Sequence, residues 1–567
     1  MDDVDGVQAQ IARNMLTSGD WVSARLDGVP YLEKSPLIYW MMAGSYSLFG
    51  VSDAAARLPI VLSILALCEL VYAMGCWAIS EAAGFYAGLV LGGSIGVFLF
   101  TRILIPDITL TLTIAFALWA LLRALDEDEP RPRTWAALMA ASMGVGLLLK
   151  GLIALAFPAA AGVIYLFFSG QLFLRRTWQR IRPFSGTLIL LAVAAPWHVL
   201  ATLRNPPYFD FSMTSGPGKY RGFFWYYFFN EHILRFLNRR WPRDYNTVPR
   251  HLFWLFHLLW FFPWSAYLPS LAKLQYRGQD RAARMRLLAL CWIGFILIFF
   301  SFSTTQEYYS MPTYPAFALL LGSAMAEDSR WIRRGARVLS AVCAVACCAI
   351  GFILWNVWSL PTPGDISQAL TQNPEMYTLS LGHMGDLTLR SFAYLKLPLA
   401  LAGTAFLLGA LAFRFRALTA HLAAAAMMVL FLNAARIAMQ TFDPYLSSAP
   451  LARVLRDAPK GEVIFGDQYY VFSSVFFYAD LDRALLYNGR YNNLEYGSYA
   501  PGAPDVFLND ETLAARWRRP ERAYLILEGP KIPAAEKVLG REWLHLVKES
   551  GGKALYTNSP WTVGVQP

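Results

Sequence analysis

Twelve long apolar runs limit what this chain can fold into. A helix needs about 20 mostly apolar residues to cross the hydrocarbon core of a bilayer. Such runs lie near 56–79, 82–100, 106–124, 134–150, 151–169, 186–203, 252–273, 285–302, 308–326, 335–358, 391–413 and 417–437. The fourth and fifth abut at Lys150-Gly151, where a tight turn is expected. A spanning segment must satisfy its own backbone groups, so each run is expected to be a helix. Composition points the same way. Hydrophobic residues make up 56% of the chain and charged residues 16%, with a mean hydropathy of +0.37. Soluble domains run nearer a quarter charged. The expected class is an all-α polytopic membrane protein with a small soluble α/β domain at its C-terminal end.

The formal net charge of +10 would suggest nucleic acid in a soluble protein. Here the basic residues fall in short loops between apolar runs, where they orient the chain in the bilayer. No nucleic-acid partner is expected. If residues 1–55 lie outside the cytoplasm, four inside loops are strongly basic. They hold Arg175, Arg176, Arg180 and Arg182; Lys273, Arg277, Arg281, Arg284 and Arg286; Arg330, Arg333, Arg334 and Arg337; and Arg414 and Arg416. An even number of spans then leaves residue 1 outside with nothing to carry it there. A further span before Met1 is expected, making thirteen.

Three parts follow. Residues 1–55 form a non-cytoplasmic first loop with interfacial helices, including an amphipathic run from Gln8 to Leu16. Residues 56–437 form the transmembrane domain. Residues 438–567 form a non-cytoplasmic soluble domain. In that tail Glu462-Val-Ile-Phe, Tyr469-Tyr-Val-Phe and Ala523-Tyr-Leu-Ile-Leu read as strands, and Glu511–Arg519 and Ala534–Leu539 as helices. The six cysteines all lie in apolar runs, so neither a disulfide framework nor metal-ligand spacing is visible.

Ionisable residues at a membrane boundary usually have a use. Six clusters fall on the predicted non-cytoplasmic face: Asp2, Asp3 and Asp5; Glu33 and Lys34; Arg102 and Asp107; Lys150; Glu231, His232 and Arg235; and Glu307, Tyr308 and Tyr309. Each alone has a plainer reading, such as a helix-end acid, a snorkelling pair or an i,i+4 ion pair. Six on one face are harder to dismiss, because a randomly placed charge would fall on either side. Carboxylates can take a proton from an acceptor hydroxyl, and Lys and Arg can hold a phosphate. Together they suit displacement of a phosphate leaving group from a sugar through an oxocarbenium-like state. Nucleotide sugars are made in the cytoplasm, so the donor outside is expected to be a polyprenyl phosphate lipid. The runner-up is a transporter or flippase of lipid-linked sugars.

Several motifs carry a family resemblance. They are Asp5 to Val22, Tyr31-Leu-Glu-Lys-Ser-Pro-Leu-Ile-Tyr-Trp40, Ala56-Arg-Leu-Pro59, Pro106-Asp107, Leu149-Lys-Gly151, Glu231-His-Ile-Leu-Arg235 and Glu307-Tyr-Tyr-Ser-Met-Pro312. In this order, over about residues 3–325, the chain resembles the dolichyl-phosphate-mannose protein mannosyltransferase superfamily. The likeness is to the bacterial branch that includes the aminoarabinose transferase of lipid A. The resemblance implies a C-type glycosyltransferase fold, a polyprenyl-phosphate sugar donor carrying a hexose or pentose, and a lipid A-like or protein acceptor. It implies a site on the periplasmic side of the inner membrane. The family's Asp-Glu pair falls near Val4-Asp5, so Asp3 and Asp5 are both candidates for the catalytic acid, with Asp107 as the second acidic position. Lys34, Arg235, Lys150 and Tyr309 would hold the donor phosphate. Glu231, Glu307 and Tyr308 would line the site. Glu33 and His232 match positions that can hold a zinc ion in relatives. The proline usual after the lysine is displaced to Pro36 by Ser35.

Overall fold

The computed structural model describes residues 1–243, 247–303, 305–371, 380–415 and 417–561. Arg416 lies outside the described residues. Seven helices among them are long and apolar enough to cross a membrane, including Asp53–Ala78, Asp107–Leu125, Arg281–Phe302 and Arg330–Val357. The chain is a polytopic membrane protein.

The expected spans are not all continuous. The 82–100 run is two helices, Glu81–Gly92 and Ile95–Phe100, separated at Gly93-Ser94. The 252–273 run is the helix Arg250–Trp260 followed by the 3-10 segment Trp264–Lys273. Pro263 between them has no N–H to continue the hydrogen-bond ladder. The 308–326 run opens as a 3-10 segment, Glu307–Thr313, before Tyr314–Ala326. Ile153–Phe168 is 16 residues long. An apolar run reports burial or lipid contact, and it does not report where the backbone breaks.

The first helix, Asp3–Ser18, is correctly capped at both ends. The Asp2 side chain accepts from the Asp5 N–H at 2.8 Å, and Gly19 closes the far end at φ +70°. Its environment differs from the expected interfacial one. Val7 through Ala12 are all buried, because the helix lies between Leu37–Phe49 and the soluble domain's Ser473–Tyr478 helix. A Cβ on Gly6 would stand 2.8 Å from Ser473 Oγ and Ser474 N, so only glycine permits this approach. A two-residue turn, Asp27-Gly28, then reverses the chain between the short strands Arg25–Leu26 and Val29–Pro30. That reversal delivers Tyr31–Lys34 to the membrane boundary.

The tail folds as an α/β unit around a six-stranded sheet. The order is Phe507–Leu508, Leu485–Tyr487, Glu462–Phe465, Ala523–Glu528, Lys553–Thr557, His545–Ser550. The first four strands are parallel and the last two antiparallel. The central strand Ala523–Glu528 is buried over its first five residues, as expected of a strand covered on both faces. Tyr469–Phe472, expected as a strand, is instead a 3-10 turn leading into Ser473–Tyr478. Its aromatic residues face the core, with Tyr469 stacked on Phe476 at 4.3 Å. Four aromatic and β-branched residues in a row satisfy strand propensity equally well, so local pattern cannot separate the two.

Candidate active site

A cavity of about 430 Å³ opens at the ends of several spans. Four segments bring charge to it. The loop before Leu37–Phe49 contributes Lys34. The junction of Pro132–Lys150 with Ile153–Phe168 contributes Lys150, facing Asp107 at the head of Asp107–Leu125. The π-helical segment Trp225–Leu234 contributes Glu231 and His232, with Arg235 just after it. π-Helical turns are rare and often mark functional sites. The opposite wall is apolar, with Phe157, Phe236, Phe299 and Phe300.

The charges are arranged in two groups. Lys150 Nζ donates to Asp107 Oδ1 at 2.5 Å and lies 5.0 Å from the Tyr309 ring centre. Asp107 Oδ2 is buried and has no hydrogen-bond partner among the described residues. Arg235 donates to Glu231 Oε2 at 2.7 Å and to the Tyr309 hydroxyl at 3.1 Å. Behind them Arg240 donates to Glu33 Oε1 at 2.8 Å and to the Tyr226 hydroxyl at 3.0 Å, and its Nε donates to Glu231 Oε1. Lys34 Nζ stands 3.8 Å from Glu33 Oε2. Four bases, Lys34, Lys150, Arg235 and Arg240, therefore meet three acids, Glu33, Asp107 and Glu231. Among these described residues the bases outnumber the acids by one, with Arg240 set behind the cavity wall. Burial alone would raise the Glu231 carboxyl, but Arg240 and Arg235 outweigh it and hold the group at about 2. Glu231 stays ionised.

His232 is fixed as a neutral ring. Its Nδ1 donates to the Tyr227 carbonyl at 2.6 Å, and its Nε2 accepts from the Leu152 N–H at 3.1 Å. Burial pushes its pKa below the usual histidine value. The contact depends on Gly151, which sits at φ +70° and ψ −147°. A Cβ there would collide with His232 Nε2 and come within 2.8 Å of the Tyr227 hydroxyl. Such backbone is close to glycine-only. Gly151→Ala is therefore expected to cost about 1–3 kcal/mol and to displace both Lys150 and His232. A lowered thermal midpoint of the purified chain would show it, and an unchanged midpoint would refute the close-approach argument.

The structure brings Glu33, Lys34, Asp107, Lys150, Glu231, His232, Arg235, Tyr308 and Tyr309 to this cavity. It places three other candidates elsewhere. Asp3 is buried in the seam with the soluble domain, where Lys553 donates to Oδ2 at 2.6 Å and Ser474 to Oδ1. Asp5 pairs with Arg57 and accepts from the Leu104 N–H at 2.8 Å. Both line a second cavity of about 660 Å³, together with Asp2, Arg57, Arg102 and Lys553. Glu307 accepts from the Ser380 N–H at 2.8 Å and does not line the first cavity. Buried carboxylates seek partners, and these three find theirs away from the cavity.

Sequence reasoning missed Arg240. Asn238-Arg-Arg240 reads as one more basic stretch in a long loop, and nothing local shows that its guanidinium is completely buried. The Asn230 side chain clamps the following residue, donating to the Trp241 carbonyl at 2.6 Å and accepting from the Trp241 N–H at 3.0 Å.

The zinc suggested by the resemblance does not fit these residues as they stand. Glu33 Oε1 accepts from Arg240 and Oε2 from the Tyr31 hydroxyl at 3.0 Å. The lone pair of His232 Nε2 is directed at the Leu152 N–H. Among the described residues no group of three His, Cys, Asp or Glu is placed to hold a metal ion.

The chain is similar to several known proteins. Residues 33–199 match the family of dolichyl-phosphate-mannose-protein mannosyltransferases. The undecaprenyl phosphate-alpha-4-amino-4-deoxy-L-arabinose arabinosyl transferase 1 of Pseudomonas fluorescens is 28% identical over 397 residues, 66% of this chain and 61% of that protein. The corresponding transferase of Aeromonas salmonicida is 30% identical over 328 residues, 56% of this chain and 54% of that protein. The chain thus spans less than two thirds of these relatives' length. In fold, ArnT from Cupriavidus metallidurans, crystallised with undecaprenyl phosphate, superimposes with a TM-score of 0.80 over 99% of this chain and 95% of that one, at 22% identity. The fold is the C-type glycosyltransferase fold. Over residues 33–199 the chain is similar to the dolichyl-phosphate-mannose-protein mannosyltransferase family, and in sequence and fold it is similar to the bacterial aminoarabinose transferases.

Proposed function

We propose that this chain transfers a sugar from a polyprenyl phosphate to a hydroxyl of a lipid A-like or protein acceptor, at the non-cytoplasmic face of the plasma membrane. The observation that carries this reading is the convergence of Lys34, Lys150 and Arg235 at the polar end of a phenylalanine-walled cavity. Such a cavity suits an amphipathic anion, with the prenyl chain on the apolar wall and the phosphate at Lys34 and Arg235. The sequence relatives, named as undecaprenyl phosphate arabinosyl transferases, support the same donor class and favour a pentose.

The residues take roles that follow from their contacts. Lys34 and Arg235 hold the phosphate, and Lys150 and Tyr309 complete its surroundings. The acceptor oxygen bonds to the anomeric carbon as the bond from that carbon to the phosphate oxygen breaks. The electron pair leaves with the phosphate, where the cations stabilise it. The acceptor's proton passes to Asp107 Oδ2, which is free to take it. A flippase would need charge near the bilayer midplane and commonly an internal repeat. The charges here collect at one end of the spans, and no repeat is visible in the sequence.

The test is label transfer in membranes expressing the chain, using radiolabelled undecaprenyl-phosphate pentose and hexose beside Lys34→Ala. Label reaching an extractable acceptor only in the unmutated protein supports the reading. Correctly inserted protein that moves labelled lipid across the bilayer without transferring sugar would replace it with the flippase.

A further inference from the structure

The site keeps two residues that could begin a metal centre, Glu33 and His232, yet each is already occupied. The occupant of Glu33 is a guanidinium with no exposed side-chain surface. Arg240 bridges Glu33 and Glu231, and also donates to the Tyr226 hydroxyl and the Pro242 carbonyl. Its position is set from three sides. Asn230 clamps the Trp241 backbone, Tyr226 stacks on Tyr496 at 4.1 Å, and Glu231 is anchored through Arg235.

We propose that Arg240 supplies the fixed cation of this site in place of a divalent metal, and is a positioning residue for Lys34 and Arg235. The physical case rests on competition between charges. Glu33 Oε2 stands 3.8 Å from Lys34 Nζ, and Glu231 Oε2 stands 2.7 Å from Arg235. A carboxylate shared with a second, fully buried cation attracts its surface cation less strongly. Arg240 takes one oxygen of each carboxylate, Oε1 in both cases. Lys34 and Arg235 face the other oxygen of each. A divalent ion on the same two acids would do the same work, and a guanidinium does it with directed hydrogen bonds. His232 Nε2 has a single lone pair, committed to the Leu152 N–H, so a metal bound there and the observed geometry exclude each other.

The inference rests on the transferase reading only for its lipid arm, and two measurements separate the two. The first is metal binding by the purified full chain in detergent. The chain is stripped with a chelator and titrated with zinc chloride by calorimetry, beside His232→Ala and Glu33→Gln. The expected result is no stoichiometric, micromolar-or-tighter site that these substitutions remove. One zinc per chain, lost in both variants, overturns the proposal whether or not transfer occurs. The second is binding of undecaprenyl phosphate to Arg240→Ala, Arg240→Lys and the unmutated chain. Arg240→Ala should weaken binding about tenfold or more, and millimolar methylguanidinium should restore most of it. A merely structural loss would not be rescued by a small cation. Arg240→Lys keeps one charge and guards against a variant that fails to fold. Unchanged lipid binding in Arg240→Ala overturns the positioning role. If the unmutated chain binds no undecaprenyl phosphate, the transferase reading fails, and zinc binding alone decides the proposal.

Discussion

Lys34→Ala should lower the rate of sugar transfer by about 10²–10³-fold while leaving membrane insertion intact. Lys34 is the cavity cation with the weakest internal claim on it. Its carboxylate neighbour stands 3.8 Å away and is held more closely by Arg240 at 2.8 Å. Its charge is therefore available to a ligand. A phosphate becomes more negative at the leaving oxygen as the glycosidic bond breaks, so the ammonium contributes more to the transition state than to donor binding. The loss should thus fall mainly on kcat, with a smaller rise in KM. Lys34→Arg should recover part of the rate, since charge returns with a different reach and geometry. The side chain is partly exposed and its ion pair with Glu33 is long, so the variant should melt near the unmutated protein. Transfer at the full rate by well-inserted Lys34→Ala would remove the phosphate from this cavity.

Lys553→Met should give the largest loss of stability, about 3–5 kcal/mol. Lys553 is buried in the seam between the first helix and the sheet. Its ammonium donates to Asp3 Oδ2 at 2.6 Å, to Ser448 Oγ at 2.9 Å and to the Val471 carbonyl at 3.1 Å. Removing it strands a carboxylate that is 7% exposed and keeps only serine and backbone donors. The cost is the desolvation of an unpaired charge, not the value of one ion pair. Asp3→Asn combined with Lys553→Met should therefore recover much of the stability that either change loses alone. Thermal unfolding in detergent reads this directly. The same pair decides what Asp3 does. An acid that anchors a helix loses stability when changed to asparagine but keeps its rate well below the melting point. An acid that takes part in the reaction would lose rate at every temperature.

The sequence pattern and the structure agree best where a motif carries both charge and local geometry. Lys34, Lys150, His232 and Arg235 stand at element ends, in loops or in a short turn, and the order of their motifs brought them into one candidate site. Lys150-Gly151 also revealed its turn, since an apolar run cannot continue through that pair. The first helix shows the opposite case. Its amphipathic pattern was legible, but its apolar face meets residues more than 400 positions away, so lipid and protein interior could not be told apart. Asp3 and Asp5 looked like free acids for the same reason. Arg240 was hidden because its partners, Glu33 and Glu231, come from two other segments, and basic loops in a membrane protein already have a routine explanation.

The tail also touches the site from above. The Tyr470 hydroxyl meets that of Tyr31, which in turn donates to Glu33, and Tyr496 accepts from the Arg221 N–H and donates to the Gly222 carbonyl at the start of the segment carrying Glu231. Tyr31 and Tyr470 are 439 positions apart. At about 5–20 residues per second, translation puts about 20–90 s between them. Over that interval the spans are still being made, and Glu33 and, once made, the Trp225–Leu234 segment lack these contacts. The order of synthesis thus acts as a timer: the first-made loop and the Trp225–Leu234 segment gain these contacts only after the last-made part has settled onto them.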